Sequence, residues 1–210
     1  MNCPLCQHSS ASLFHTDARR EYWRCDRCAL VFVPPRYYLT PELEKAEYDK
    51  HENIVDDPGY RRFLGHLADP LLAMMPPACQ VLEFGCGPGP ALAAMLREAG
   101  HDVALYDAFY YPDRSVLESN RYDVLTATEV IEHLHHPARE IAAWLDYLKP
   151  HGLLGIMTKT VINAERFAKW HYKNDQTHIC FYCPETFDYI ASEYSLKWQA
   201  LADDAFVFSR

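Results

Sequence analysis

Seven residues, Glu83-Phe-Gly-Cys-Gly-Pro-Gly89, constrain this chain more than any others. An apolar run from Cys79 to Phe84 precedes the turn and reads as a buried strand. Ala91-Leu-Ala-Ala-Met-Leu96 follows it and reads as a helix. Glycine at every second position lets the backbone turn sharply and approach a ligand closely. The helix N-terminus offers free N–H groups to something polar or anionic. The next strand, 102–106, ends in Asp107, where an acid can hold a ribose through its hydroxyls. Together these features describe a nucleoside-cofactor site.

The glycine spacing decides between cofactors. The dinucleotide fingerprint is G-x-G-x-x-G. Here the pattern is acid-x-G-x-G-x-G, with Glu83 at the strand end. This resembles motif I of the class I S-adenosylmethionine (SAM) methyltransferases. The resemblance implies that Gly85, Cys86, Gly87 and Gly89 pack against SAM. It also implies that Glu83 supports the amino-acid end of SAM and that Asp107 holds the ribose. The adenine-contacting acid of that family has no clear equivalent, because the stretch 108–121 looks like a shortened βα unit. Phe109, Tyr110 and Tyr111 follow the ribose acid and are candidates to wall the adenosine.

Two C-x-x-C knuckles, Cys3-Pro-Leu-Cys6 and Cys25-Asp-Arg-Cys28, stand at the N-terminus. Their separation fits a four-cysteine structural zinc site. So small a unit cannot bury enough surface alone, and metal binding supplies the missing free energy. Of the eight cysteines, the other four, Cys79, Cys86, Cys180 and Cys183, read as small buried residues. The start of the chain lacks the apolar core of a secretory signal, so a reducing, cytoplasmic setting is expected. No apolar run approaches the roughly 20 residues of a membrane span. The formal net charge of −9 argues against nucleic acid as the main partner. Arg19, Arg20, Arg24 and Arg27 could still form a local basic face on the ribbon.

Pro34-Pro35 closes the ribbon, which gives three regions: a zinc ribbon at 1–35, a helical linker and cofactor lid at 36–78, and a catalytic domain at 79–210. Thr40-Pro41 starts a linker helix expected to reach about His51. Asp57-Pro58 starts a second, which Pro70 is expected to break or kink with Asp69 as a new cap. Tyr48, His51 and Asn53 either form a lid or simply pack. From Cys79 onward strands and helices alternate, which predicts an α/β fold. Its centre would be a Rossmann-like three-layer αβα sheet, mostly parallel with an antiparallel last strand.

A second cluster follows the strand 122–128. Thr128-Glu-Val-Ile-Glu-His-Leu134 resembles the Glu-x-x-Glu-His element of many class I methyltransferases, and Glu129 would then contact SAM. In the ubiquinone-biosynthesis O-methyltransferases and the small-RNA 3′-terminal ribose methyltransferases this element can hold a divalent ion. Glu129, Glu132, His133 and His178 would be the equivalent 2-Glu-2-His set. The alternatives are a pocket in which His133, His178 and Tyr182 act as base or hydrogen-bond partners, and a packed aromatic loop over 170–182. His135 and His136 read as surface residues. The stretch from about Tyr48 to the C-terminus resembles a bacterial-type class I SAM methyltransferase, with a zinc-ribbon front end before it. That front end resembles those of sugar C-methyltransferases and rRNA guanine methyltransferases. A small-molecule acceptor is expected. An RNA or protein acceptor gripped by the ribbon is the alternative, and a non-catalytic SAM or zinc scaffold is the third reading.

Overall fold

Two knuckles with the same hydrogen-bond plan open the chain. Cys3 N–H donates to His8 O and Gln7 N–H to Cys3 O. In the second knuckle Cys25 N–H donates to Leu30 O and Ala29 N–H to Cys25 O. The residue after each knuckle is left-handed, with φ 57° at Gln7 and 58° at Ala29. These details come from a computed structural model that describes residues 1–50 and 53–210. Strands β1 (Ala11–Thr16) and β2 (Glu21–Cys25) join the knuckles, and β3 (Val31–Phe32) follows them.

Helix α1 (Pro41–Tyr48) is capped by Thr40, which accepts the Leu43 N–H. It ends short of His51, which lies outside the described residues. Helix α2 (Pro58–Met74) starts on Asp57, which accepts the Tyr60 N–H. The break expected at Pro70 does not occur, and α2 runs through it. A proline in a helix interior costs about 3 kcal/mol. Burying one leucine returns about 1.5–3 kcal/mol, and Leu64, Leu67 and Leu71 are all buried on one face of α2.

The alternating part then follows as β4 (Gln80–Phe84), α3 (Ala91–Glu98), β5 (Asp102–Tyr106), β6 (Tyr122–Thr128) and α4 (Pro137–Tyr147). It continues with β7 (Leu148–Met157), α5 (Ala164–Ala168), β8 (Cys180–Phe181), α6 (Pro184–Tyr194), β9 (Lys197–Ala200) and β10 (Ala205–Ser209). The six-stranded sheet has the order β5-β4-β6-β7-β10-β9. Strands β5, β4, β6 and β7 are parallel, and β10 runs antiparallel to both of its neighbours. Residues 149–152 bulge from the ladder, because Tyr122 pairs with Leu148 while Val124 pairs with Leu153. The shortened βα unit is confirmed: β5 is an edge, and one 3-10 turn at Arg114–Val116 replaces the strand and helix that would extend the sheet.

The strand period of two sorts side chains between two cores. Val81, Val124, Ala205 and Val207 face one way, against the buried residues of α2 and α3. Leu82, Leu125, Phe206 and Phe208 face the other way, against α4 and α6. The ribbon belongs to this second core. Its Tyr22, Leu30 and Phe32 are buried together with Phe167, Phe181 and Phe187. Strand β8 leaves the catalytic region and pairs antiparallel with β3, forming a second sheet of order β1-β2-β3-β8.

Ala29 carries a side chain where the backbone is left-handed, which costs about 1–2 kcal/mol for an L-residue. The entropy of an added glycine offsets part of that. Ala29→Gly is therefore expected to raise the unfolding midpoint by about 1–3 °C, measured by calorimetry on metal-replete protein. A lower midpoint would contradict the left-handed knuckle.

Candidate functional site

The C-terminal ends of β4, β5 and β6 open into a cavity of about 780 Å³, within the range of small-molecule sites. The glycine turn forms one wall. Gly85 is left-handed, φ 72°, and a Cβ there would lie 2.5 Å from Val130 Cγ2. A Cβ on Gly89 would fall 1.7 Å from the backbone oxygen of Asn53. The linker therefore lies on the glycine turn, and Gly89 is needed for that contact, since it does not line the cavity. Gly87 and Cys86 do line it. Asp107 stands beside them. Its Oδ2 accepts Gly87 N–H at 3.0 Å, and its Oδ1 accepts the N–H groups of Phe109 at 2.8 Å and Tyr110 at 3.0 Å. A carboxylate has about four acceptor positions, so one remains on Oδ2, and Asp107 lines the cavity.

Glu83 does not reach the cavity surface. It is 3% exposed at the start of α3, and its Oε2 has no hydrogen-bond partner in the described structure. Burial raises its pKa to about 8, against the favourable backbone of Ala93. Phe109 and Tyr110 line the cavity as expected. Tyr111 instead exchanges backbone hydrogen bonds with Asp107. Tyr48 also lines the cavity, with its ring against Phe109 and edge-on to His133.

The opposite wall carries the second cluster. Glu129 follows β6 in a left-handed conformation, φ 52°. Burial raises its pKa to about 7, opposed by Lys159 and Tyr172. Glu132 is fully buried and accepts the Tyr172 hydroxyl. Burial, with Glu129 nearby, pushes its pKa well above the usual carboxylate range. Glu129 Oε1 and Glu132 Oε2 are buried without a hydrogen-bond partner in the described structure. His133 Nδ1 lies 3.2 Å from Thr177 O, and His178 Nδ1 lies 2.7 Å from Tyr172 O. A carbonyl only accepts, so Nδ1 is the donor in both rings, and His178 Nε2 lies 3.8 Å from Asp175 Oδ2. The rings meet edge to face at 4.6 Å. Burial opposes the charge on Asp175, but the Thr177 hydroxyl and His178 outweigh it and hold its pKa below the usual value.

Two groups could hold metal ions. Cys3, Cys6, Cys25 and Cys28 place their sulfurs within 4.8 Å of one another. The pairs Cys3–Cys28 and Cys6–Cys25 are 3.5 and 3.4 Å apart. A zinc tetrahedron with Zn–S near 2.3 Å has sulfur–sulfur edges of about 3.8 Å, so these residues fit zinc. Glu132, His133 and His178 form the second group. Glu129, the fourth residue of the expected set, is not part of it, because its left-handed turn sends the carboxylate toward Lys159 and Tyr172.

Three expectations change. Tyr182 is 0% exposed, donates to Ile131 O at 3.0 Å and does not line the cavity. Tyr172 takes its place on the wall. His135 is not a free surface residue, since its Nε2 lies 2.6 Å from Glu44 Oε1 and its ring lies tilted against Tyr38 at 4.6 Å. The basic face does not form. Arg20 is buried, Arg19 donates to Asn174 O, Arg24 faces Glu185, and Arg27 covers the Tyr189 ring. Among the described residues no helix is long and apolar enough to cross a membrane.

A family model described as a methyltransferase domain matches residues 57–200. The ubiquinone biosynthesis O-methyltransferase of Rickettsia typhi is 26% identical over 161 residues. That match covers 62% of this chain and 65% of the relative, just under two thirds of its length. Among solved structures, the 1,6-didemethyltoxoflavin-N1-methyltransferase of Burkholderia thailandensis contains 1,6-didemethyltoxoflavin and S-adenosylhomocysteine. It superposes with a TM-score of 0.56 at 15% identity, over 95% of this chain and 97% of that one. Phosphoethanolamine N-methyltransferase 2 of Haemonchus contortus contains phosphomonomethylethanolamine and S-adenosylhomocysteine. It gives 0.51 at 16% identity, over 75% of this chain and 42% of that one. At these identities the likeness is one of fold.

Glu83 links pH to stability. The folded protein keeps a proton on Glu83 up to about pH 8, whereas the free side chain loses it near 4.5. The folded state therefore binds more protons in between, and its stability falls as pH rises across that window. Glu83→Gln should flatten this fall in urea unfolding of cofactor-free protein from pH 5 to pH 8. An identical slope in the variant would contradict the buried, neutral carboxyl.

Proposed function

The chain belongs to the methyltransferase-domain family, and from that premise we propose that it transfers the methyl group of SAM to a nucleophilic atom of a small molecule. The observation that carries the reading is the charge of the site. Asp107 and Glu129 line the cavity from two strand ends, and a buried oxygen of Glu129 has no hydrogen-bond partner in the described structure. Buried charges are paired when they persist. An acidic pocket suits the sulfonium and ammonium of SAM and repels the pyrophosphate of a dinucleotide. The solved relatives with S-adenosylhomocysteine bound support the same donor.

SAM, when bound, supplies an already activated methyl group. The remaining work falls to this chain's residues. Asp107 takes a ribose hydroxyl on its remaining acceptor position. Gly87 presents bare backbone to the cofactor, and Phe109 and Tyr110 wall the adenosine. His133 and His178 line the cavity with Nδ1 fixed on carbonyls, and they take the acceptor proton. Rate comes mainly from holding the acceptor in line and excluding water.

A second reading of the acceptor wall has its own observation, the convergence of Glu132, His133 and His178. These residues would hold a divalent cation that acidifies an acceptor hydroxyl. Both histidines donate Nδ1–H to carbonyls, the usual second shell of a metal ligand. Glu132→Gln should then abolish manganese binding seen by calorimetry and leave SAM affinity unchanged. Manganese binding that is unaltered in the variant would remove this reading.

Asp107→Ala should weaken SAM binding by roughly tenfold or more, on the order of the 1–3 kcal/mol of a buried polar contact. Unchanged affinity by calorimetry would remove the ribose assignment. The function as a whole is tested by screening metabolite, RNA and protein fractions with SAM labelled in the methyl group. Label should appear in the small-molecule fraction, and label confined to RNA or protein would overturn the acceptor class.

A further inference from the structure

One ribbon side chain makes three hydrogen bonds to the loop of the acceptor wall. Arg20 is 5% exposed on the turn that leads into β2. Its Nε donates to the Tyr22 hydroxyl at 3.0 Å, and its guanidinium also lies against the Tyr22 ring. Its remaining donors cross to the loop between α5 and β8. Nη2 donates to Lys173 O at 2.7 Å and to Asp175 O at 2.6 Å, and Nη1 donates to Gln176 O at 3.0 Å. The neighbouring carbonyls are also taken by side chains: Tyr172 O by His178, Asn174 O by Arg19 and Thr177 O by His133. Every carbonyl from Tyr172 to Thr177 therefore accepts from a side chain, and Arg20 supplies half of the six.

This pattern links the ribbon to the two rings of the acceptor wall. Regular structure over 172–177 is limited to the 3-10 turn His171–Asn174, so most of the loop's carbonyls need outside donors. The first and last of these carbonyls receive Nδ1–H from His178 and His133, and Arg20 shapes the backbone between them. Lys173 adds a buried ion pair to Asp17 at 2.9 Å. Burial opposes the charge on Asp17. The amides of Arg19 and Arg20 and the Lys173 ammonium overcome this and hold its pKa far below the usual value. Beyond the loop, Val33 N–H of the ribbon donates to Ile179 O, and Ile179 N–H donates to Glu132 O.

We propose that Arg20 is a positioning residue for methyl transfer: from the ribbon, its guanidinium sets the loop 172–177 so that His133 and His178 hold one tautomer and one orientation. The proposal rests on the reading of those two rings as the acceptor wall. Lysine cannot replace the fork, because a single ammonium does not span three carbonyls in a fixed plane.

The test uses the full, metal-replete chain with Arg20→Gln, and with Arg20→Lys as the milder variant that keeps the charge. Amide hydrogen exchange over 172–178 and the ring 15N signals of His133 and His178 are recorded. S-adenosylhomocysteine affinity is measured by calorimetry. The expected result is exchange about tenfold faster or more in that loop. The ring signals should show both tautomers in place of the single Nδ1–H form. Cofactor affinity should stay within about threefold, since the cofactor wall is built from other strands. Native exchange and native ring signals in both variants would overturn the proposal. A uniform rise in exchange through both sheets would also overturn it, because Arg20 would then hold the fold and not the loop. Failure of the methyl-transfer reading would show separately, as no S-adenosylhomocysteine binding by the native protein, and the exchange readout does not depend on that binding.

Discussion

Val31 and Phe32 pair with Phe181 and Cys180, and this short ladder joins the N-terminal ribbon to the far end of the chain. Around it Tyr22, Phe167 and Phe181 meet edge to face, and such contacts add to ordinary burial. The loop that carries His178 lies between α5, which packs on β1, and β8, which pairs with β3. Both ends of the loop are therefore anchored on the ribbon. The four cysteines fix the ribbon, the ribbon fixes the loop, and the loop fixes the histidines. Zinc at Cys3, Cys6, Cys25 and Cys28 would thus act on the site through packing and hydrogen bonds.

The cofactor wall is built independently, on the parallel strands. Its glycine turn is constrained from two sides, by Val130 below Gly85 and by Asn53 above Gly89. Asp107 closes the turn by taking Gly87 N–H, and two further amides organise the start of the adenosine wall. The acidic character of the cavity comes from residues after separate strands, Asp107 after β5 and Glu129 after β6. The two walls can therefore vary apart, one carrying the proposed donor site and the other the proposed acceptor site.

The strand, glycine turn and helix were legible in the sequence because their parts are local. A strand, a glycine turn, a helix and an acid at the next strand end all fall between Cys79 and Asp107, and each has a strong period or turn chemistry. The knuckles were legible for the same reason. The link between ribbon and loop was not. Strands of two residues carry no alternation, and β3 and β8 are separated by most of the chain. Arg20 was read with Arg19, Arg24 and Arg27 as part of a basic face, since spacing cannot distinguish an exposed guanidinium from one buried on carbonyls. Tyr182 was placed in the pocket by its neighbours, but it lies just beyond β8, where its side chain points into the core and its hydroxyl meets Ile131 O. Pro70 misled because the burial of α2 outweighs a missing backbone bond. The signal for Tyr172 was present, in the aromatic run 170–182, but nothing in the run ranked it above Tyr182.

The most direct test of the account is a crystal structure of the protein with S-adenosylhomocysteine. The account predicts a ribose hydroxyl on Asp107 Oδ2, the adenine against Phe109 and Tyr110, and the sulfur directed toward the His133 and His178 wall. A complex in which Asp107 keeps only its three backbone donors, with the ligand held elsewhere, would contradict it.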